Sequence, residues 1–178
     1  MQTEVQFAGF GGQGILSSAK LLAYTAMKQD FFVAWVPSYG PEMRGGTAYC
    51  TVVISDRRIG SPVIKTPTHL VAMNRPSLEK FSPCVKAGGV IFINSSLIPT
   101  RSQRTDITEM VIPVNDAAIR LGSVKCANII ALSAFASKIN LIDMDLLRQC
   151  VIAEFQERPK LLDLNANAFD EGIKLASA

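Results

Sequence analysis

The stretch AGFGGQG, Ala8 to Gly14, places four glycines in seven residues between an alternating apolar run and a helical one. Before it, TEVQFAG alternates Val5 and Phe7 with polar neighbours, as a half-buried strand does. After it, GILSSAKLLAYTAMK sets Ile15, Ala19, Leu22 and Ala26 on one helical face, with Lys28 near the C-terminal end. A strand that turns into a helix within so few residues needs backbone free of Cβ atoms. The unit belongs to open α/β sheets, in which such turns lie at the carboxyl ends of strands.

The rest of the chain continues that alternation without repeats or linkers. FFVAWV reads as a second, buried strand, which the handedness of βαβ units makes parallel to the first. The loop PSYGPEMRGG follows. In TAYCTVVIS, Ala48, Cys50, Val52 and Ile54 form one drier face, and this strand is open to an antiparallel course. HLVAM, GGVIFIN and EMVIPV are short apolar runs bounded by turn residues, compatible with further buried strands. NDAAIRLG, NIIALSAFASKI, DMDLLRQCVIAEFQ and LLDLNANAFDEGIKLA read as helices, with Asp116 and Asp143 expected as N-caps and Gly122 as a C-cap. The expectation is one domain over residues 1–178, a three-layer Rossmann-like α/β fold with a mostly parallel, mixed sheet and a helical C-terminal third. A chain of 178 residues buries about two-thirds of its unfolded surface, enough for one core.

Gly9, Gly11 and Gly14 satisfy G-x-G-x-x-G, and the first helical turn after them attracts an anion. A dinucleotide site also needs an acidic residue at the end of the second strand to hold the ribose hydroxyls. Here that strand ends in Trp35, Val36 and Pro37, and Asp30 precedes it. The Walker pattern fails as well, because Ile15 stands where its lysine belongs. Two readings stay open: an anion-binding turn with the amide of Gln13 inside it, or glycines that only let the helix pack on the strand. A second glycine-rich segment, SYGPEMRGG from Ser38 to Gly46, is expected beside the first. Its Arg44 can present a planar fork to a carboxylate or phosphate, or simply pair with Glu42 in solvent.

Several functions are excluded by what the chain lacks. Charged residues are 19% of the sequence, the mean hydropathy is +0.24 and the net charge is +3, so less charged surface is available than a solitary monomer uses. A covered apolar surface is expected. No apolar run approaches the roughly 20 residues of a membrane span, and the N-terminus has no signal pattern, so the expected location is the cytoplasm. Cys50, Cys84, Cys126 and Cys150 form no C-x-x-C pair and are expected as buried free thiols. His69 is the sole histidine and builds no metal site. No Ser-His-Asp set, H-E-x-x-H or paired carboxylates emerge, so no catalytic or metal-ligating residue is assigned. Basic residues are dispersed, with DRR at 56–58 the densest spot, and nucleic-acid binding finds no support.

GFGGQGILSSAKLLAYTAM, PSYGPEMRGGTAYCTVVIS, VAMNRPSLEKF, CANIIALSAF and LNANAFDEGIKLA together resemble the gamma subunit of 2-oxoacid:ferredoxin oxidoreductases, most closely the 2-oxoglutarate type, with the pyruvate and 2-ketoisovalerate types as alternatives. The resemblance covers nearly the whole chain. It implies a non-catalytic subunit of an enzyme that oxidatively decarboxylates a 2-oxoacid on thiamine diphosphate, passes electrons through iron-sulfur clusters to ferredoxin and releases an acyl-coenzyme A. The implied partners are alpha and beta subunits and a ferredoxin-like delta subunit; a homodimer of the isolated chain is left open. No cofactor is expected on this chain alone. The resemblance places Gly9, Gly11, Gly12, Gln13 and Gly14 on the family's glycine loop, and Tyr39, Gly40, Pro41, Glu42, Arg44, Gly45 and Gly46 on its second loop. Asn128 falls on an asparagine that opens a later helix, where it would cap the helix or donate to a ligand. These positions are implied to face coenzyme A or the partner subunits. The competing expectation is a free-standing nucleotide-binding domain.

Overall fold

A computed structural model describes residues 1–39 and 47–177, with Tyr39 described by its backbone alone. The strands are β1 (Gln2–Phe10), β2 (Phe32–Tyr39), β3 (Thr47–Ser55), β4 (His69–Ala72), β5 (Val90–Asn94) and β6 (Thr108–Ile112). The helices are α1 (Ile15–Lys28), α2 (Arg75–Phe81), α3 (Val114–Arg120), α4 (Ala127–Ile139), α5 (Met144–Phe155) and α6 (Pro159–Ser177). One sheet has the order β2-β3-β1-β4-β5-β6. β1, β4, β5 and β6 pair in parallel, and β3 runs antiparallel to both β1 and β2.

β2 therefore runs in the same direction as β1, as a βαβ crossover requires, but it is not β1's neighbour. β3 returns through a short connection and inserts between them. Buried on both faces, with Val52 and Val53 both at 0% exposure, β3 takes the interior place, and β2 moves to the edge. This corrects the expectation that FFVAWV is buried: Phe32, Trp35 and Val36 remain 46%, 39% and 37% exposed. An apolar run reads the same at an edge as in a centre.

Alternating side chains feed two cores. Val5, Phe7, Cys50, Val52, Ile54, Val71 and Phe92 face α1 and the helices α3 to α6. Ala8, Leu70, Ala72, Ile91 and Ile93 face the other way, under Leu78 of α2, Val85 and Ile98. The predicted stripe Ile15, Ala19, Leu22 and Ala26 is buried throughout. α4 is the central helix, buried from Ile129 to Ala136, and α6 crosses it so closely at Gly172 that a Cβ there has no room against Ser133 and Ile130.

Asp143 caps α5 by accepting from Leu146 N at 2.9 Å, and Gly122 follows α3 with φ 97°. Asp116 is not a cap. Pro113 holds that place, so Asp116 lies in the first turn of α3. α2 was not anticipated; its start is set by Asn74, which accepts from Ser77 N at 2.9 Å, with Pro76 in the first turn. All four cysteines are free, but Cys84 is exposed, correcting its assignment to the core. Burial pushes the Cys50 thiol up to about 12, against a hydrogen bond from the Val36 backbone.

Candidate functional site

The glycine loop caps the carboxyl end of β1. Gln13 N donates to Phe10 O at 3.1 Å, which closes a four-residue turn, and Gly12 at its third position has φ 97°. That value selects glycine. Gly14 then starts α1 with φ 73°, and no side chain caps the helix. Its bareness has a second cause: an added Cβ would lie 2.6 Å from the Asn128 amide. Ser18 Oγ donates to Asn128 O at 3.0 Å, so the first turns of α1 and α4 are laced together at the loop.

Gln13 is the loop's tether. Its Oε1 accepts from Phe10 N at 2.7 Å and from Asn74 Nδ2 at 3.3 Å, while Nε2 donates to Met73 O at 3.3 Å. The turn after β1 is thereby fastened to the turn after β4. In this sheet the crossovers diverge between β1 and β4, which is where open α/β sheets bind ligands.

Asn94, at the end of β5 and fully buried, extends the amide set. Its Nδ2 donates to Asn115 Oδ1 at 2.8 Å and to Met73 O at 3.4 Å. Its Oδ1 is buried with no partner among the described residues. An orphaned buried acceptor is costly, and a water or an exchanged Asn115 amide within reach would satisfy it.

Two clefts flank the loop. One, of about 290 Å³, is lined by Phe10, Gly11, Gly12, Gly14, Ile15, Leu16, Ser17 and Ala48. The other, of about 220 Å³, is lined by Gly12, Gln13, Met73, Asn115, Val124, Lys125 and Ala127. The first opens at the start of α1 and the second at the start of α4; neither helix has a side-chain cap or an acid in its first turn. The partial positive charge of both helix starts is left for an incoming anion, and Lys125 adds a full one. No carboxylate, imidazole or thiol lines either cleft among the described residues, and Lys125 is the one titratable side chain among the lining residues of the two. A larger groove of about 440 Å³ lies beside β6, far from the loop. Its walls are mostly apolar, and its Glu109 is already held by Arg101 and the Ser102 amide.

Of the expected site residues, Gly9, Gly11, Gly12, Gln13, Gly14 and Asn128 come together at this loop. Asn128 sits in the second position of α4, after the cap residue Cys126, and does not cap the helix. Its amide approaches Gly14 O at 3.5 Å. Gly40, Pro41, Glu42, Arg44, Gly45 and Gly46 lie outside the described residues. The ends of their segment are placed by register: Tyr39 pairs with Ala48, Ala48 with Gly9, and Thr47 with Phe10. The segment thus leaves and re-enters the sheet level with the glycine loop. Asn74, Asn94, Asn115 and Lys125 were not anticipated. A signal existed for the asparagines, because VAMN, IFIN and IPVN end three successive apolar runs alike. No group of His, Cys, Asp and Glu among the described residues could hold a metal, and no described helix is long and apolar enough to cross a membrane.

Residues 4–175 match the family described as pyruvate ferredoxin/flavodoxin oxidoreductase. The chain is 36% identical over 176 residues to the ketoisovalerate oxidoreductase subunit VorA of Methanothermobacter thermautotrophicus, covering 98% of this chain and 36% of that one. It is 32% identical to the 2-oxoglutarate synthase subunit KorC of Methanocaldococcus jannaschii, covering 99% and 95%. The chain therefore spans about a third of the VorA length and nearly all of KorC. Among solved structures, the keto/oxoacid ferredoxin oxidoreductase gamma subunit from Geobacter sulfurreducens superposes with a TM-score of 0.85 at 26% identity, over 98% of both chains. The 2-oxoglutarate:ferredoxin oxidoreductase from Magnetococcus marinus, with 2-oxoglutarate, coenzyme A and succinyl-CoA bound, shares the fold at a TM-score of 0.90 and 23% identity, over 99% of this chain and 31% of that one.

Proposed function

The chain belongs to the pyruvate ferredoxin/flavodoxin oxidoreductase family, and from that premise we propose that it is the non-catalytic gamma subunit of a thiamine diphosphate-dependent 2-oxoacid:ferredoxin oxidoreductase forming an acyl-coenzyme A. The observation that carries the reading is the pair of clefts at the uncapped starts of α1 and α4, with a positive field and no carboxylate, imidazole or thiol in their described lining. Such a site holds an anionic ligand whose chemistry is done elsewhere. Coenzyme A fits it. The start of α1 with Ser17, and the start of α4 with Lys125, would take its phosphates, and Asn94 and Asn115 lie in the amide floor beneath. Bound, coenzyme A supplies the thiol that accepts the acyl group. This chain's residues hold and orient it: Gln13 keeps the loop against the end of β4, and bare Gly12 leaves the cleft open.

Iron-sulfur clusters do not fit this chain, whose cysteines make no ligand group among the described residues. Clusters and thiamine diphosphate belong to alpha, beta and delta partners, and ferredoxin takes the electrons of the whole complex. Of the 2-oxoacids, 2-oxoglutarate is the one we assign. The KorC relative of Methanocaldococcus jannaschii matches this chain end to end, whereas the VorA match is to part of a longer chain. The location is the cytoplasm.

Arg44 tests the reading. The assigned role is a charge-assisted pair with a coenzyme A phosphate or a partner carboxylate. Arg44→Ala then removes about 1.5–3 kcal/mol, roughly a 10- to 150-fold loss in the affinity it serves. The isolated chain should lose at most about 1 kcal/mol of stability. The measurements are thermal unfolding of the lone chain, and coenzyme A dependence and subunit recovery of the complex, with 2-oxoglutarate, pyruvate and 2-ketoisovalerate compared as substrates. A variant that unfolds earlier yet assembles and turns over normally would overturn the role of both loops.

A further inference from the structure

Asn94 is fully buried, yet its amide does little for the fold. It ends β5 after Ile91, Phe92 and Ile93, all buried and apolar. Its Oδ1 has no partner among the described residues, and the longer of its two bonds, to Met73 O at 3.4 Å, goes to a carbonyl that Gln13 also holds. The start of α3 is placed without it. Ser95 N donates to Ile112 O at 3.0 Å, and Asp116 N donates to Ser96 Oγ at 3.1 Å, so the backbone on both sides of Asn115 is already tied to the end of β5. What Asn94 fixes is the side chain of Asn115, which it meets at 2.8 Å.

Resting on the coenzyme A reading above, we infer that Asn115 is a ligand contact in the cleft at the start of α4 and that Asn94 is its positioning residue, holding one atom of the Asn115 amide so that the other faces the ligand. Asn115 lines that cleft together with Gln13, Met73 and Lys125, whereas Asn94 lies beneath and does not line it. The bond to Asn94 uses one atom of the Asn115 amide, and the other has no partner among the described residues. Asn115 is only half-buried, so that second atom is open to the cleft. A side chain held before the ligand arrives loses no rotamer freedom on binding, and this pre-organisation is what Asn94 supplies. Its removal strands nothing in the core: Met73 O keeps Gln13, the half-buried Asn115 amide turns to water, and the unpartnered Oδ1 is gone.

The test uses the full chain, tagged and co-expressed with the catalytic subunits of its own complex. Coenzyme A binding is measured by titration calorimetry without 2-oxoacid, beside the KM for coenzyme A and for the 2-oxoacid. Asn94→Leu, which keeps the branched shape of the side chain, and Asn94→Ala should each weaken coenzyme A binding about 3- to 10-fold. The loss should fall on the coenzyme A KM rather than on kcat, with the 2-oxoacid KM held. Asn115→Ala should weaken binding at least as much, and adding Asn94→Leu to it should cost nothing more, because Asn94 then has no side chain to position. Unchanged coenzyme A affinity in the assembled Asn94 variants overturns the inference. So do losses that add in the double variant, a parallel rise in the 2-oxoacid KM, or failure of both Asn94 variants to assemble, and in these cases the subunit reading stands. If the unsubstituted complex binds no coenzyme A, or no catalytic chain co-purifies with it, the subunit reading falls and the inference with it.

Discussion

Gly14 and Asn128 occupy one another's space: a Cβ on Gly14 would meet Asn128 Cγ at 2.6 Å, in a backbone whose φ of 73° already disfavours side chains. The two constraints separate experimentally. Gly14→Ala is expected to cost more than the ~1–3 kcal/mol of left-handed strain alone. Asn128→Gly in the same chain should return the steric part and leave the strain, so the double variant is less destabilised than the sum of the single ones. Urea unfolding of the four proteins measures it. Strict additivity would mean that α4 yields freely at its start.

Gln13 is expected to contribute more than the glycines around it to the loop's shape. Gln13→Ala releases Phe10 N, Met73 O and Asn74 Nδ2 together, and a cost of about 1–3 kcal/mol is expected from the buried members of that set. Gln13→Glu keeps the acceptor for Phe10 N but sets a carboxylate where Nε2 donated to Met73 O. It should therefore be destabilised at neutral pH despite its similar size. Chemical denaturation at pH 7 distinguishes the cases, and a Gln13→Glu protein as stable as the parent would refute the tether.

Periodicity carried most of the fold. The β1 alternation and the α1 stripe were legible because each places its apolar residues at one unambiguous period. The edge position of β2 was not, since it depends on β3 returning between two strands, and FFVAWV contains no sign of that. α2 is only seven residues long, too short for a period, and its evidence lay in the Asn74 cap. At the site, the glycines announced a turn. The Gly14 and Asn128 contact, by contrast, joins residues 114 apart, which spacing along the chain does not reveal. The asparagines at the strand ends were visible as a pattern but lacked meaning until parallel pairing brought them to one edge.

His69 should make stability pH-dependent near neutrality. Burial lowers its pKa in the fold, against the pull of Glu4. In the unfolded chain the imidazole titrates near its ordinary value of about 6.5. Below that value the unfolded state binds a proton that the folded state still refuses, so stability falls as pH drops, until the lower folded pKa is passed. Carboxylates held low by cations, Asp56 by the N-terminal ammonium and Asp106 by Arg104, act only further down, in the carboxylate range. His69→Gln should flatten the melting temperature between about pH 7 and 5. A slope unchanged by that substitution would place its origin elsewhere.

The glycine loop should not confer dinucleotide binding. In a dinucleotide fold the ribose hydroxyls meet an acid at the end of the strand next to β1. Here the neighbour on that side is β3, which runs the other way and begins at Thr47, opposite Phe10. The end of β2 lies two strands from the loop, roughly 10 Å away, and its described end, Ser38 and Tyr39, carries no carboxylate. A pyrophosphate could still approach the start of α1, but the adenosine ribose would lose the contact that fixes it, leaving only the weak attraction of a helix start. NAD and NADP are therefore expected to bind the isolated chain no more tightly than about millimolar, about 4 kcal/mol of binding free energy. Titration calorimetry with each dinucleotide decides it. Micromolar affinity would show that the inserted β3 does not displace the ribose site, and would return the free-standing nucleotide-binding domain to first place.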